Sequence, residues 1–208
     1  MTTTLSTPLP QWAVGALALA VGVALGLLIA LCWRWYQRRR RERALHATVT
    51  AIAVDHLKDV LVPDGNGGFV HLDYVLLTIR GLVVLDIRDV RGNVFGSDQM
   101  NAWTVMARGR RFTFPNPQPA LYDRIAAVRQ YAGAQAPVDG RIVFLRRATF
   151  PKGLPRFTIG IDSLSSEYPL PDRDSAERSV AALRDGWSRL RAESAPSPLV
   201  NARDVVDG

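Results

Sequence analysis

Leu72-Asp73-Tyr74-Val75-Leu76-Leu77-Thr78-Ile79-Arg80-Gly81-Leu82-Val83-Val84-Leu85-Asp86-Ile87-Arg88 is two apolar runs separated by a short break. Residues 69–78 and 82–87 are rich in β-branched and aliphatic side chains, and the break is too short for anything but a tight reversal. The pattern predicts an antiparallel hairpin with both strands largely buried. An acid stands inside the first run and another near the end of the second, and a carboxylate among apolar neighbours needs a reason. If the loop is the two residues Ile79 and Arg80, facing positions sum to 159, so Asp73 faces Asp86. Cross-strand Cβ atoms lie about 4.5–5.5 Å apart, close enough for two carboxylates to share one divalent cation. Arg88, two residues on, projects from the same face. A loop with an odd number of residues would flip the parity and dissolve the group. The competing reading is an Asp–Arg pair that only fixes the hairpin.

Upstream, Pro63-Asp64-Gly65-Asn66-Gly67-Gly68 is a strong turn signal, and residues 47–62, rich in Val, Ile and Thr, read as one or two strands. Downstream, residues 93–111 suggest a further short pair of strands. Pro115 to Pro119 opens a helix whose Leu121, Ile125, Val128 and Ala132 form one stripe, ended by Gly133. Residues 141–145 and 157–161 are two more strands. A last helix follows, with Asp174 and Glu177 at capping-box spacing, and residues 194–208 read as a disordered tail.

The N-terminal quarter has another character. Residues 12–33 run without a charged side chain, about 22 residues or roughly 33 Å of helix, enough for a ~30 Å hydrocarbon layer. Trp12 at one end and Trp33, Trp35 and Tyr36 at the other suit the two interfaces. The expected segments are a short external N-terminus (1–11), a transmembrane helix (12–36), a basic collar (37–46), one domain (47–193) and the tail. The chain carries 26 Lys and Arg against 19 Asp and Glu, a formal charge of +7. Residues 34–43 hold six arginines against Glu42, a local +5 that leaves only +2 elsewhere. The basicity therefore points to a membrane surface before nucleic acid. Arg38 to Arg41 suit anionic headgroups and place the C-terminal domain in the cytoplasm, at the inner (plasma) membrane, single-pass. Gly22-x-x-x-Gly26 offers a face on which two such helices can pack as a homodimer. Cys32 is the only cysteine, which excludes an internal disulfide and Cys-rich zinc sites. His46, His56 and His71 lack metal-ligand spacing and read as solvent-facing or structural.

Several blocks in order, Leu57 to Gly68, Leu72-Asp73-Tyr74-Val75, Gly81 to Asp86, Gly92-Asn93-Val94-Phe95-Gly96-Ser97, Trp103 and Asn116-Pro117, resemble the nuclease-related domain family, NERD, over residues 44–155. The resemblance implies a mixed α+β fold. Its core would be a restriction-endonuclease-like central mixed sheet flanked by helices, here preceded by the transmembrane helix. It also implies an acid on one hairpin strand and acid-x-Lys on the next, with Asp73 and Asp86 as ligands of a catalytic Mg²⁺. Three departures stand out. Asp86-Ile87-Arg88 replaces the usual Glu-x-Lys, and Arg balances charge without exchanging a proton. The acid expected on a preceding helix has only Glu42 as a candidate. The polar residue expected shortly after Asn116-Pro117 is replaced around Pro119-Ala120. These departures favour a degenerate nuclease site in a domain that binds nucleic acid or protein. An active Mg²⁺-dependent endonuclease, with Asp73, Asp86 and Arg88 catalytic, and a protein-docking scaffold are the alternatives. Arg108, Arg110 and Arg111, beside Trp103 and Phe112, are the expected nucleic-acid contacts.

Overall fold

A hydrophobic N-terminal segment with no proline after residue 10 propagates as one long helix, and the alternating and continuous apolar runs after it pair into sheets. The computed structural model describes residues 11–133, 135–169 and 172–198, excepting the side chains of 11–19 and 173–175. Helix α1 runs unbroken over Gln11–Ala51. Contacts divide the chain into residues 1–47 and 48–208. In the first unit Val21, Leu25, Leu28 and Leu31 all stand exposed. Among the described residues this is one helix long and apolar enough to cross a membrane. Arg39 lies over the Trp35 ring at 4.1 Å, a cation–π contact in the basic stretch.

The second unit holds strands β1 (Asp55–Pro63), β2 (Phe69–Thr78), β3 (Gly81–Arg88), β4 (Gly92–Phe95), β5 (Ala102–Ala107) and β6 (Arg110–Pro115), then helix α2 (Pro117–Ala132). Strands β7 (Val138–Phe144), β8 (Ala148–Thr149) and β9 (Thr158–Gly160) follow, then helices α3 (Leu164–Glu167), α4 (Arg173–Val180) and α5 (Arg184–Glu193), and strand β10 (Ala195–Pro196). The six-stranded sheet has the order β10-β1-β2-β3-β7-β9, and the four-stranded one β6-β5-β4-β8. Both are mixed: β3, β7 and β9 are parallel neighbours, as are β4 and β8, and the remaining pairs are antiparallel. The mixed α+β architecture is the expected one.

The stripe Leu121, Ile125, Val128 and Ala132 of α2 is buried against the large sheet together with Val75, Leu77, Leu82 and Val84. The helix starts where Asn116 Oδ1 accepts the Gln118 N–H and Pro117 takes the first turn. Close approach needs Gly140 on β7, where a Cβ would come within 2.6 Å of Ile125 Cδ1.

Four local expectations are corrected. Residues 47–51 are helical, not extended, because an existing helix adds one hydrogen bond per residue, and Val49 and Ile52 are thereby buried. Residues 93–111 belong to a three-stranded set, since Arg108 (φ 49) and Gly109 (φ 76) form a further turn between β5 and β6. The N-cap of α4 is Asp172, whose carbonyl accepts the Ala176 N–H, so Asp174 falls inside the first turn. The tail is ordered at its start: β10 pairs Ala195 with Leu61 and Pro196 with Val60, covering an edge of the sheet. Residues 1–10 and 199–208 lie outside the described residues.

Asp55 fastens β1 to α5. Its Oδ2 accepts Trp187 Nε1 at 2.8 Å and Arg191 Nη2 at 2.6 Å, and its Oδ1 accepts the His56 N–H at 2.8 Å. Burial works to raise its pKa, but the hydrogen bonds from Trp187, His56 and Arg191 outweigh it and hold the carboxyl below the ordinary value of 3.8. A lowered folded value means the stabilisation is present above the unfolded value and is lost as pH falls through the folded one. Asp55→Asn should cost about 1 kcal/mol at pH 7, since solvent reaches the carboxylate, and should flatten the acid limb of a stability–pH curve followed by chemical denaturation.

Candidate functional site

The hairpin loop has two residues: Thr78 pairs with Gly81 and Tyr74 with Leu85. Thr78 Oγ1 accepts the Arg80 N–H and donates to the Gly81 carbonyl, closing the reversal. The same register puts Asp73 opposite Asp86. Here the backbone ladder gives way to side-chain bonding, as Asp73 Oδ2 accepts the Ile87 N–H at 2.8 Å. On the other side of β2, Lys58 pairs with Tyr74 and Val60 with Leu72, which puts Asp59 opposite Asp73. Three acids thus occupy equivalent positions on three adjacent strands.

Their surroundings differ. Asp86 is 2 % exposed, and its Oδ2 accepts Arg88 Nη2 at 2.7 Å and Arg124 Nη1 at 3.2 Å. Arg124 comes from α2 and also donates from Nε to the His71 carbonyl at 2.7 Å, which ties the helix to β2. Burial pushes the Asp86 carboxyl above its ordinary value; Arg88 and Arg124 pull the other way, and Asp73 adds to the rise. Arg88 Nε is buried with no hydrogen-bond partner among the described residues. Asp73, Asp59 and His71 form the other half of the group. His71 Nδ1 lies 3.5 Å from Asp73 Oδ1, and His71 Nε2 lies 3.8 Å from Asp59 Oδ1. One ligand atom from each of the three falls within 4.8 Å of the others. Asp59 is held at φ 50, a backbone region that Asp tolerates better than most residues, and its carbonyl accepts the Ser197 N–H.

The donor chemistry fits a divalent cation on the Asp59–His71–Asp73 side. On the Asp73–Asp86 side, two guanidiniums already occupy one Asp86 oxygen, and a cation there would meet their charge.

The structure brings Asp73, Asp86 and Arg88 together. His71, with its side chain 13 % exposed, sits between two acids, so of the two readings from spacing the structural one applies to it. A further acid that the structure places beside Asp73 is Asp59, on β1. Its signal was the turn at 64–68: with Asp64 Oδ1 accepting the N–H groups of Asn66 and Gly68, Val62 must pair with Val70 and Asp59 with Asp73. Arg124 was missed too, although it falls three residues after Leu121 and one before Ile125, on the inward stripe.

Gln118, directly after Asn116-Pro117, is a buried polar residue at the start of α2. It is 5 % exposed and donates from Nε2 to Asp98 Oδ1 at 2.8 Å and to the Arg156 carbonyl at 2.9 Å. The Gln118 bond and the Arg156 N–H hold Asp98 below the ordinary carboxylate range. A cleft of about 270 Å³ opens here, lined by Asp98, Asn116, Gln118, Pro119, Tyr122 and Arg156.

Arg108, Arg110 and Arg111 lie at the β5–β6 reversal, outside the acidic group. Among the described residues no carboxylate pairs with them, whereas Arg146 pairs with Asp162 at 2.7 Å and Arg147 with Asp89 at 2.5 Å. Trp103 is fully buried and is no stacking platform; Phe112, 46 % exposed, is the aromatic beside these arginines.

No curated protein and no solved structure matches the chain. The family model of the nuclease-related domain (NERD) matches residues 40–145, which takes in the hairpin, all three acids and Arg88 and Arg124. That match covers half of the chain and coincides with the acid-bearing strands, so the chain belongs to the nuclease-related domain family.

Proposed function

We propose that this chain is a membrane-anchored, cytoplasm-facing nuclease-related domain that binds nucleic acid and has lost efficient cleavage. The observation that carries this is the pair of guanidiniums on Asp86. Metal-assisted phosphodiester hydrolysis needs paired carboxylates open to Mg²⁺ and a nearby group able to exchange a proton. Asp86 is instead held by Arg88 and Arg124, and an Arg at the position of the family's Lys stays charged. Anchoring is supported by the long exposed apolar helix and by the arginines that follow it, suited to anionic headgroups on the cytoplasmic side. Binding is supported by the arginines at the β5–β6 reversal, which pair with no carboxylate among the described residues, beside an exposed Phe112. Active hydrolysis with Mg²⁺ is the second reading, favoured by Asp59, which supplies the third acid that an active site would use.

Fluorescence anisotropy of single- and double-stranded DNA and of RNA with the full chain in detergent tests the binding. Micromolar binding is expected, with affinity falling steeply as salt rises. Replacing Arg108, Arg110 and Arg111 together by Ser should weaken it about tenfold or more and lower the salt slope by about 2–3. No binding at low salt, or a triple variant with unchanged slope, would sink the proposal.

A further inference from the structure

We infer that the cavity between β7, β9 and α3 binds one guanine nucleotide, with Glu167 reading the base and Arg156 taking the phosphate. Asp139, Arg141, Arg156, Phe157 and Glu167 are among its walls, and it encloses about 390 Å³. That volume lies near the lower end of the range of about 300–1,000 Å³ usual for small-ligand sites, which suits a mononucleotide. Gly140 meets α2, so its neighbours Asp139 and Arg141 point from the opposite face of the sheet, away from Asp86, which is in register with Ile142. Most polar atoms here are engaged with one another. Arg141 donates from Nε to Glu167 Oε1 at 2.5 Å and from Nη1 to Asp139 Oδ1 at 2.6 Å, and Tyr168 donates to Asp139 Oδ2 at 3.0 Å. Two groups are left over: among the described residues Glu167 Oε2 receives no hydrogen bond and the Arg156 guanidinium forms no ion pair. Glu167 is also held through its carbonyl, which accepts Arg80 Nη1 at 3.1 Å. Phe157 is kept at φ 60, an outlier for a bulky ring of the kind that persists at ligand clamps. Tyr122 meets its edge at 5.4 Å, and the guanidiniums of Arg156 and Arg141 lie over the ring at 5.4 and 6.0 Å.

An ionised carboxylate only accepts hydrogen bonds, and this chooses the base. Of the four common bases, guanine alone presents two adjacent N–H donors, the ring imino and the exocyclic amino group. Adenine and cytosine set one donor beside a ring-nitrogen lone pair, and uracil flanks its donor with two carbonyls. A lone pair turned toward the carboxylate is repelled, so the same oxygen that holds guanine rejects the others. Aromatic rings and guanidinium planes stack on bases, and an unpaired guanidinium suits a phosphate.

The inference does not rest on nucleic-acid binding at the β5–β6 reversal, because the nucleotide is read without a strand. GMP, AMP, CMP, UMP and guanosine are titrated calorimetrically into the full chain in detergent. One GMP per chain is expected, with a Kd below about 1 mM and at least about tenfold tighter than for the other three nucleotides. Guanosine should bind about tenfold more weakly than GMP. Arg156→Ser should weaken GMP by about tenfold and leave guanosine within about twofold. Glu167→Gln, which puts an amide donor where an acceptor stood, should bring GMP and AMP within about threefold of each other. Arg156 is exposed, so its variant keeps the fold, and melting curves check Glu167→Gln. Competition by single-stranded DNA with and without an unpaired terminal guanine distinguishes the source. Displacement of GMP by the guanine-ended strand alone assigns the cavity to a strand end, and no displacement by either strand assigns it to the free nucleotide. Equal displacement by both strands would overturn the inference. So would absence of GMP binding up to about 1 mM, equal affinity for the four nucleotides, or GMP binding indifferent to both variants.

Discussion

Asp86→Ala is expected to lower the unfolding free energy by about 3–5 kcal/mol, the largest effect of any single change at the site. The substitution removes the one carboxylate between two guanidiniums and leaves Arg88 and Arg124 facing each other with like charge. Arg124 has little access to water, its side chain being 18 % exposed, and its other tie is to the His71 carbonyl. Asp86→Asn keeps an acceptor and should cost less. Exchanging all three for apolar residues of similar volume, Asp86→Leu with Arg88→Met and Arg124→Leu, should recover most of the loss, because no charge is then left buried alone. Chemical denaturation of the full chain in detergent measures all three. The pH dependence has the opposite sign to that of Asp55. The raised Asp86 value means its contribution is fully present below the unfolded value of 3.8 and is lost as pH rises through the folded value. The carboxyl is costly to ionise and costlier to remove, a burden of the kind retained at functional sites. A loss below about 1 kcal/mol for Asp86→Ala would show that the arginines do not depend on it.

Trp103→Ala should cost a similar amount, about 3–5 kcal/mol, for a different reason. Trp103 is fully buried, meets Phe114 edge-on at 6.0 Å and stacks with Phe144 at 6.2 Å. Phe114 belongs to the small sheet and Phe144 to the large one, so the indole joins the two. Its Nε1 donates to the Ser97 carbonyl at 3.2 Å, and a Cβ at Gly96 would lie 2.4 Å from the ring. Alanine would leave a cavity that this backbone cannot collapse into. Because Phe144 pairs with Arg88 in the parallel β3–β7 ladder, the loss should also loosen the arginine side of the site. Trp103→Phe, which retains the stack, should cost about half as much. Equal losses for the two variants would contradict the role assigned to the ring contacts.

How much was legible in the sequence depended on the range of the interaction. The pairing of Asp73 with Asp86 followed from one two-residue loop, because side-chain parity in a strand leaves no intermediate answer. Asp59 was equally accessible through the turn at Asp64, yet its role emerges only when three strands are laid side by side. Arg124 reaches the acids across the sheet–helix interface, where a stripe gives the face but not which rung meets which strand. The helical course of residues 47–51 was hidden because Val and Thr favour strands locally, while the helix already running from Gln11 favours its own continuation cooperatively. The pairing of Ala195 and Pro196 with β1 depends on an open edge almost the whole domain away in sequence, and no local signal marks it.

The account turns on Asp86 being committed to its arginines. Incubating the full chain in detergent with labelled DNA and RNA in Mg²⁺, and separately in Mn²⁺, tests this most directly. Bound but intact substrate is predicted, with cleavage appearing only when Arg88→Lys restores an exchangeable amine. Cleavage by the unaltered chain that Asp73→Ala abolishes would contradict it.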